Sequence, residues 1–453
     1  MKTAIRAFCV LSLFFSLATK NIHAQGWWAS EVASGSRLGN SPYDDPLATL
    51  GKPTVWMKSS GAPNDTDPAA ASLVLSAWNV GWPNGEKLVA TIRAATSTLA
   101  AGHVTVKFDS PIYDDEHNWH GKDFIVFGNA FFAAGGSPVY SDSNMEEIIL
   151  SSVSGGSGWW EPSTVSVSQD GEQWFAFTDG PFADDFAPTQ ALAWDWIENG
   201  WLTNSAGHHV EMDYTKPVDP AYGKPDFAGL TAANAIDLYK GSGGGAAFDI
   251  GMLPLPVDPG TGKKWIRYIR VDGTNGEVDA FARVSHAQPV LSIGEAKKLP
   301  DGTRVALKDV VVSVPAYRLG RFCYVQHPDW SGGIRVMGRV LESGMLYSLH
   351  GELDTVEGER VFLATSALPV VDAEGGVSAA LCRPLGVSIK NLASEALSPI
   401  GLLVRTVGRV QSVHPSDGYF VVSGGGGLSL KVQPPGSCRR SLRRLTPQIR
   451  TGG

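Results

Sequence analysis

The sequence has 453 residues, of which 43% are hydrophobic and 18% charged, with a formal net charge of −8. Such a chain is long enough for two or three domains, and its ordinary hydrophobic share excludes disorder over most of its length. Its 52 Gly and 28 Pro favour short strands joined by turns over long helices. The acidic balance counts against a nucleic-acid partner, since nucleic-acid binding needs a basic patch.

Residues 1–24 are predicted to be a secretory signal peptide. Lys2 and Arg6 precede an uncharged stretch, and small residues follow it near Ala24, which is the pattern of a cleaved signal. The stretch is shorter than the roughly 20 residues of a membrane-spanning helix, and no second long apolar run follows. We therefore expect a secreted, periplasmic or cell-surface protein without a membrane span.

Residues 25–287 are predicted to form a β-sandwich of the jelly-roll kind. Short alternating segments separated by Gly, Pro, Asn and Asp are typical of strands in such a fold. The strands are predicted at His103–Phe108, Asp123–Phe127, Thr164–Ser168, Gln173–Phe177 and Trp265–Val271. Asp170-Gly171 is predicted to form the hairpin turn between the third and fourth of these. Residues 180–245 form a long irregular segment, for which loops, a short helix near Asp195–Asn199 and an insertion are the alternatives.

Residues 288–373 are predicted to form an OB-like barrel, because five short strands over so few residues suit a small closed barrel. These strands are expected at Val305–Val314, Arg321–Gln326, Gly333–Met337, Leu346–Glu352 and Arg360–Ala364. After a linker at 374–400, a similar order restarts over 401–436 as a second, partial OB-like barrel. The overall prediction is a mainly β protein.

Residues 437–453 form a basic tail with Arg439, Arg440, Arg443 and Arg444. A tail that binds an acidic partner, a disordered end and an artefact of the gene model are three interpretations of this segment. Cys323, Cys382 and Cys438 have no metal-ligand spacing, so one disulfide and free thiols both remain open.

Several segments resemble those of secreted and cell-surface proteins of environmental bacteria. In the N-terminal region they are DFIVFGNAF (123–131), VSVSQDG (165–171) and GGAAFDI (244–250); farther on they are LKDVVVS, YVQHPDWSGGIRV and GLLVRTVGRV. The resemblance implies an exported protein with an N-terminal β-sandwich-like domain and C-terminal OB-like modules. It implies no particular activity.

Acidic residues cluster where predicted strands end. One group contains Asp114, Asp115, Glu116 and Asp123, and others contain Asp249, or Asp272, Glu277 and Asp279. Carboxylates of this kind hold Ca²⁺, which takes six to eight oxygen ligands, and we take Asp114, Asp115 and Asp123 as candidate Ca²⁺ ligands. Solvated turn carboxylates are the alternative, and a glycosidase pair is another.

Tryptophans are concentrated in the N-terminal region, mostly between predicted strands. Indole rings pack on the C–H faces of sugars, so Trp119, Trp159, Trp160 and Asn129 are candidate ligand-binding residues for an extracellular polysaccharide or surface polymer. Packing in the core is the alternative for each Trp. His117 and His120 have a spacing that can chelate zinc, but the surrounding residues favour an ordinary polar loop.

Three functions follow from these patterns. The leading hypothesis is an exported, non-catalytic protein that binds a glycan or another extracellular polymer, with Ca²⁺ as a candidate cofactor. The second is a secreted, glycosidase-like hydrolase that uses paired carboxylates. The third is nucleic-acid binding by the OB-like part, for which Tyr317, Arg318, Arg321, Tyr324 and Trp330 are candidates.

Overall fold

The computed structural model describes residues 26–41, 43–53, 89–132, 145–150, 158–187, 192–372, 376–392 and 399–433. The predicted signal peptide (1–24) and the basic tail (437–453) lie outside the described residues. The described part is mainly β, with 42% strand and 10% helix and several antiparallel sheets. The prediction of a mainly β protein is confirmed.

Most strands of the N-terminal region are short. They are β1 (Glu31–Ser36), β2 (Ala90–Thr91), β3 (His103–Tyr113), β4 (Phe124–Phe127), β5 (Phe131–Phe132), β6 (Gly158–Trp159), β7 (Thr164–Ser168), β8 (Phe175–Ala176), β9 (Trp194–Asp195), β10 (Gly200–Trp201), β11 (Ala246–Phe248), β12 (Trp265–Asp272), β13 (Glu277–Val278) and β14 (Ala280–Arg283). One α-helix, α1 (Ala232–Leu238), lies in this region; 3-10 turns occur at Pro46–Thr49, Trp119–Gly121, Lys224–Phe227 and Ile250–Met252.

The rest of the described chain contains both short strands and strands of up to 11 residues. They are β15 (Val290–Leu291), β16 (Arg304–Val314), β17 (Cys323–Gln326), β18 (Gly333–Met337), β19 (Leu346–Val356), β20 (Glu359–Pro369), β21 (Leu385–Gly386), β22 (Val404–Arg405), β23 (Arg409–His414), β24 (Tyr419–Gly425) and β25 (Leu428–Val432). Its short helices are α2 (Ile293–Ala296), α3 (Ala316–Leu319) and α4 (Ile389–Leu392).

Two sheets of the N-terminal region share one hydrophobic core. One has the strand order β1-β3-β12-β7-β8, and the other has the order β11-β4-β14. Val104, Val106 and Phe108 alternate along β3 and are fully buried, as is Phe124 of β4, against which Phe248 of β11 stacks at 4.7 Å between ring centroids. The alternation that predicts these strands also fills this core, since every second side chain of a strand faces the same way.

The predicted hairpin between β7 and β8 is present. Asp170 Oδ1 accepts hydrogen bonds from the amides of Glu172 (2.8 Å) and Gln173 (2.9 Å), and Gly171 takes a left-handed φ of 84°. Of the alternatives for residues 180–245, the short helix near Asp195–Asn199 is not formed. There, Asp195 Oδ1 accepts from the Ile197 amide at 2.8 Å, so the side chain replaces a helical bond and forms a turn between β9 and β10.

A closed sheet follows the N-terminal region. Its strand order is β15-β16-β17-β18-β20-β19, and β16 also pairs with β19, so that the five longer strands form a ring. Ser292 and Glu295 form a capping box at the start of α2, which explains why this short helix begins there. Strands β23, β24 and β25 form a separate sheet.

The N-terminal region and the closed sheet are packed against each other. Trp194 and Leu202 belong to the same buried hydrophobic cluster as Val361 and Leu363 of β20. A Cβ on Gly338, which has a φ of 85°, would lie 2.9 Å from Leu202. Glycine is therefore required at 338 both for the left-handed backbone and for this close approach.

Candidate functional site

Three carboxylates, those of Glu161, Asp184 and Glu277, converge in the N-terminal region. Each offers an oxygen atom within 4.8 Å of the other two, which is close enough for one metal ion to contact all three. Asp184 is only 1% exposed, and Glu161 and Glu277 are half-buried. We call this group the Glu161 carboxylate trio.

Backbone pairing brings these residues together from distant parts of the sequence. Ser163 and Ala183 form an antiparallel bridge, and the Glu161 amide donates to the Asp184 carbonyl at 3.3 Å. The Glu277 amide donates to Asp184 Oδ2, also at 3.3 Å. The trio is thus fixed by the main chain as well as by its side chains.

The remaining hydrogen bonds around the trio come from neutral groups. Asp184 Oδ1 accepts from the Ala130 amide at 2.7 Å, and Glu277 Oε1 accepts from Thr91 Oγ1 at 2.7 Å. The Asn129 amide group reaches Glu277 Oε2 at 3.1 Å and Asp184 Oδ2 at 3.2 Å, and donates to both when its nitrogen faces them. In the opposite orientation its oxygen faces the carboxylates and would be a fourth oxygen ligand.

The surroundings of the trio disfavour the ionisation of all three carboxyl groups. Burial and the neighbouring Glu277 raise the pKa of Asp184 well above its usual value. Burial, followed by the hydrogen bond with Glu161, raises the pKa of Glu277 to about 8. Among the described residues, no Lys or Arg forms an ion pair with any of the three. A proton or a metal cation is what can balance their charge.

A second trio contains two of the three residues predicted to bind a metal. Asp114 follows β3, Asp123 precedes β4, and Asp249 follows β11; each offers an oxygen within 4.8 Å of the others. Phe248 pairs with Phe124, which places the neighbouring Asp249 and Asp123 together. Strand ends that are far apart in sequence therefore meet at one edge of a sheet.

Asp123 is fully buried and tied to the main chain. Its Oδ2 accepts from the Ile250 amide at 2.8 Å, and its Oδ1 accepts from Asn118 Nδ2 at 3.1 Å. Burial raises its pKa to about 7 against the effect of these bonds. Burial and Asp249 also raise the pKa of Asp114, which Lys264 partly opposes.

The third predicted metal ligand, Asp115, lies outside both trios. Its carboxylate accepts from Lys263 Nζ at 2.7 Å and lies 2.8 Å from His117 Nδ1. The hydrogen bond from Lys263 is the main reason that its pKa lies well below the usual value. His117 is thus paired with Asp115, whereas His120 packs on Trp119.

The candidate ligand-binding residues have different surroundings. Trp159 is 47% exposed, and its strand partner Phe131 is two residues from Asn129. Trp160 packs edge-on against Phe132 at 5.1 Å between ring centroids. Asn129 therefore contacts the Glu161 carboxylate trio, Trp159 is an exposed ring two positions before Glu161 in the chain, and Trp160 packs against the hydrophobic cluster around Phe132.

Trp119 lies where the N-terminal region meets the closed sheet. Lys216 Nζ is 4.3 Å above its ring, and the His350 ring is 5.7 Å away between centroids. The indole nitrogen is buried with no hydrogen-bond partner among the described residues. This ring is shared between two parts of the protein and is not an open platform.

Most of the aromatic and basic candidates of the closed sheet already interact with other residues of the protein. Arg321 pairs with Glu198 at 2.9 Å. Tyr324 donates to Glu359 at 2.8 Å, and Trp330 donates to the Arg383 carbonyl at 2.7 Å. Tyr317 is 79% exposed and lies beside Arg318.

Sequence reasoning did not single out Glu161 or Asp184. The trio draws on separate segments, and no fixed spacing identifies it. The neighbouring glycines carry a weak signal: a Cβ on Gly128 would lie far inside van der Waals contact with Asp184 Oδ1, and one on Gly276 would lie 3.3 Å from its Oδ2. Glycine beside both Asn129 and Glu277 lets these groups approach closely.

Comparisons with known proteins add no family to these observations. No protein-family model matches the chain, and no curated protein matches it. Within the described residues, none of the helices has both the length and the apolar character needed to cross a membrane.

Proposed function

We propose that this protein is an exported, non-catalytic binding protein whose N-terminal region binds an extracellular polysaccharide and holds Ca²⁺ at the Glu161 carboxylate trio. The observation that carries the proposal is the convergence of Glu161, Asp184 and Glu277, which form no ion pair with a Lys or Arg among the described residues. Three carboxylates are costly to bury unless a cation neutralises them.

The chemistry of the trio favours a hard cation. Its side-chain donors are oxygens, and the Asn129 amide oxygen can join them. Ca²⁺ prefers carboxylate and amide oxygens and accepts several more from water or the main chain. Zn²⁺ more often uses nitrogen and sulfur ligands, which the trio does not contain.

The architecture we propose is a jelly-roll-like β-sandwich followed by one complete and one partial OB-like barrel. The shared core between the five- and three-stranded sheets supports the sandwich. The pairing of β16 with both β17 and β19 supports the first barrel. The short strands β6 and β13 carry Trp159 and Glu277, and the loops after β6 and β8 carry Glu161 and Asp184.

A secreted hydrolase is the second candidate, because the pKa of Asp123 is raised to about 7 and that of Glu277 to about 8. A raised pKa is what a general acid needs. However, main-chain and Asn118 donors occupy both oxygens of Asp123, which suits a structural carboxylate. A hydrolase would release reducing sugar from a polysaccharide, and Glu277→Gln would abolish that release.

Nucleic-acid binding by the OB-like part has less support. Of its five aromatic and basic candidates, Arg321, Tyr324 and Trp330 have partners within the protein. Binding to single-stranded DNA that falls steeply with salt would favour this function instead.

Calorimetric titration of the EGTA-stripped protein with CaCl₂ tests the cation site. Glu277→Gln should abolish binding at the site, whereas Asp258→Asn, at an exposed turn carboxylate that belongs to neither trio, should leave it unchanged. Loss of binding in Asp114→Asn but not in Glu277→Gln would move the cation to the Asp114 group and overturn the assignment.

Polysaccharide pull-down in Ca²⁺ and in EGTA tests the binding function. Trp159→Ala should weaken retention, while Trp27→Ala, which removes a ring of similar exposure (41% against 47%), serves as the matched control. Failure of the unaltered protein to bind any polysaccharide under either condition would overturn the glycan part of the proposal.

A further inference from the structure

A cleft of about 500 Å³ is lined by Asp185, which directly follows Asp184 of the Glu161 carboxylate trio in the chain. It is also lined by residues of the segments 179–186 and 218–224 and by Gly245, Ala246 and Ala247, of which the last two lie in β11, the edge strand of the β11-β4-β14 sheet. Its volume falls within the roughly 300–1,000 Å³ typical of small-ligand sites. None of the candidate residues from the sequence lines it.

Most charges around this cleft are already paired. Lys224 contacts Asp185 at 2.5 Å, and Asp219 contacts Lys240 at 3.1 Å. Lys122 and Asp179 also line the cleft, and they are of opposite sign. The lining therefore has no large excess of either charge, and it suits a neutral polar ligand better than a polyanion.

Apolar side chains provide the packing surface of the cleft. Phe182, Tyr222 and Met252, which is 63% exposed, all line the cleft. The Phe182 ring is half-buried, and Gly180 lies against one of its edges. An aromatic ring between hydrogen-bonding side chains is the usual arrangement for a sugar, which presents C–H groups on one face and hydroxyls around its rim.

One segment of chain contributes residues both to the cleft and to the trio. Asp184 points to Glu277, while the next residue, Asp185, pairs with Lys224 at the cleft wall. Asp184 has a left-handed φ of 55°, which turns the backbone between these two directions. Lys224 Nζ also lies 4.5 Å above the Trp160 ring.

We propose that this cleft is the subsite where the protein binds a neutral polysaccharide, with Phe182 as the stacking ring. The inference rests on the proposed function and names the ligand class and its location. Lys122, Asp179 and the paired Lys224 and Asp185 offer donors and acceptors to sugar hydroxyls. Because the segment 179–186 also carries Asp184, a cation at the trio would fix one wall of the cleft.

Affinity electrophoresis of the full chain tests this subsite. The gels contain neutral glucan, mannan or xylan, or alginate as a polyanion. For the neutral polymer that the unaltered protein binds, Phe182→Ala should weaken affinity about tenfold, as for a central aromatic contact. Tyr317→Ala, which removes an exposed aromatic ring outside the N-terminal region, should have no effect.

Met252→Ala is a second test of the subsite in case the Phe182 variant fails to fold. Met252 is mostly exposed, so its truncation should leave the melting temperature unchanged. It should also weaken binding. Unchanged affinity in both variants, with polysaccharide still bound, would overturn the subsite and leave the proposed function standing. No binding to any polysaccharide would overturn both, and binding to alginate alone would overturn the neutral-ligand inference.

Discussion

The main-chain amide of Glu277 donates a hydrogen bond to Asp184 Oδ2 at 3.3 Å, although the two residues are 93 positions apart in the sequence. The bond fixes a buried carboxylate beside a second one. Burial raises the pKa of both side chains. The free energy of unfolding of this region therefore depends on pH and on any cation that binds in place of the protons.

The first prediction concerns stability against pH without metal. The pKa of Glu277 is 4.5 ordinarily and about 8 in the folded protein, so the folded state holds an extra proton between these values. Its contribution to stability is complete below pH 4.5 and is lost as the pH rises to about 8. In EGTA, the melting temperature of Glu277→Gln should therefore fall less over this range than that of the unaltered protein.

Circular dichroism at a series of pH values in EGTA measures this difference. Asp258→Asn is the control and should follow the unaltered protein, since this exposed carboxylate is outside both trios. Adding CaCl₂ should flatten the curve of the unaltered protein but not that of Glu277→Gln. Parallel curves for all three proteins in EGTA would contradict the prediction.

Gly128→Ala should destabilise the protein by about 1–3 kcal/mol, the usual cost of forcing an extra methyl into a packed site. The new Cβ would clash with Asp184 Oδ1. Gly200→Ala is the matched control, because a Cβ there meets nothing within 4 Å. Urea unfolding followed by fluorescence compares the two, and equal midpoints would show that the trio tolerates the added methyl.

Leu202→Ala should destabilise the N-terminal region and the closed sheet together. Leu202 is fully buried and shares a cluster with Leu363 of β20, and truncating such a residue costs about 2–5 kcal/mol. Calorimetry should show their common transition shifted to lower temperature. Leu47→Ala, at a site 62% exposed, should leave it in place. Two transitions, only one of them shifted, would argue against coupled folding.

The two cysteines among the described residues should differ in reactivity. Both Cys323 and Cys382 are free thiols; Cys323 is buried, and burial raises its pKa to about 12. Cys382 is half-buried, with a smaller effect in the same direction. Because the thiolate is the reactive form, a maleimide should label Cys382 in the native protein and Cys323 only after unfolding. Peptide mapping by mass spectrometry distinguishes the two, and rapid native labelling of Cys323 would contradict its burial.

The local elements were largely predictable from the sequence. The ranges predicted for β7 and β18 agree with the structure, because local alternation and nearby turn residues mark their ends. β19 and β20 extend beyond their predicted ends, since pairing along their full length stabilises residues with weaker local signals. The sequence left a short helix near Asp195 open as one alternative, because the periodicity does not reveal the turn formed by the Asp195 carboxylate.

The sequence by itself determined a mainly β protein and identified acidic residues at strand ends, because these features depend on near neighbours in the chain. Only the tertiary structure decided which of them meet. In the structure, Asp114 and Asp123 lie close to Asp249, and Asp115 forms an ion pair with Lys263. A second trio contains Asp184 with Glu161 and Glu277. The physical reason is that sheet pairing between distant segments sets these distances, and no local spacing encodes it.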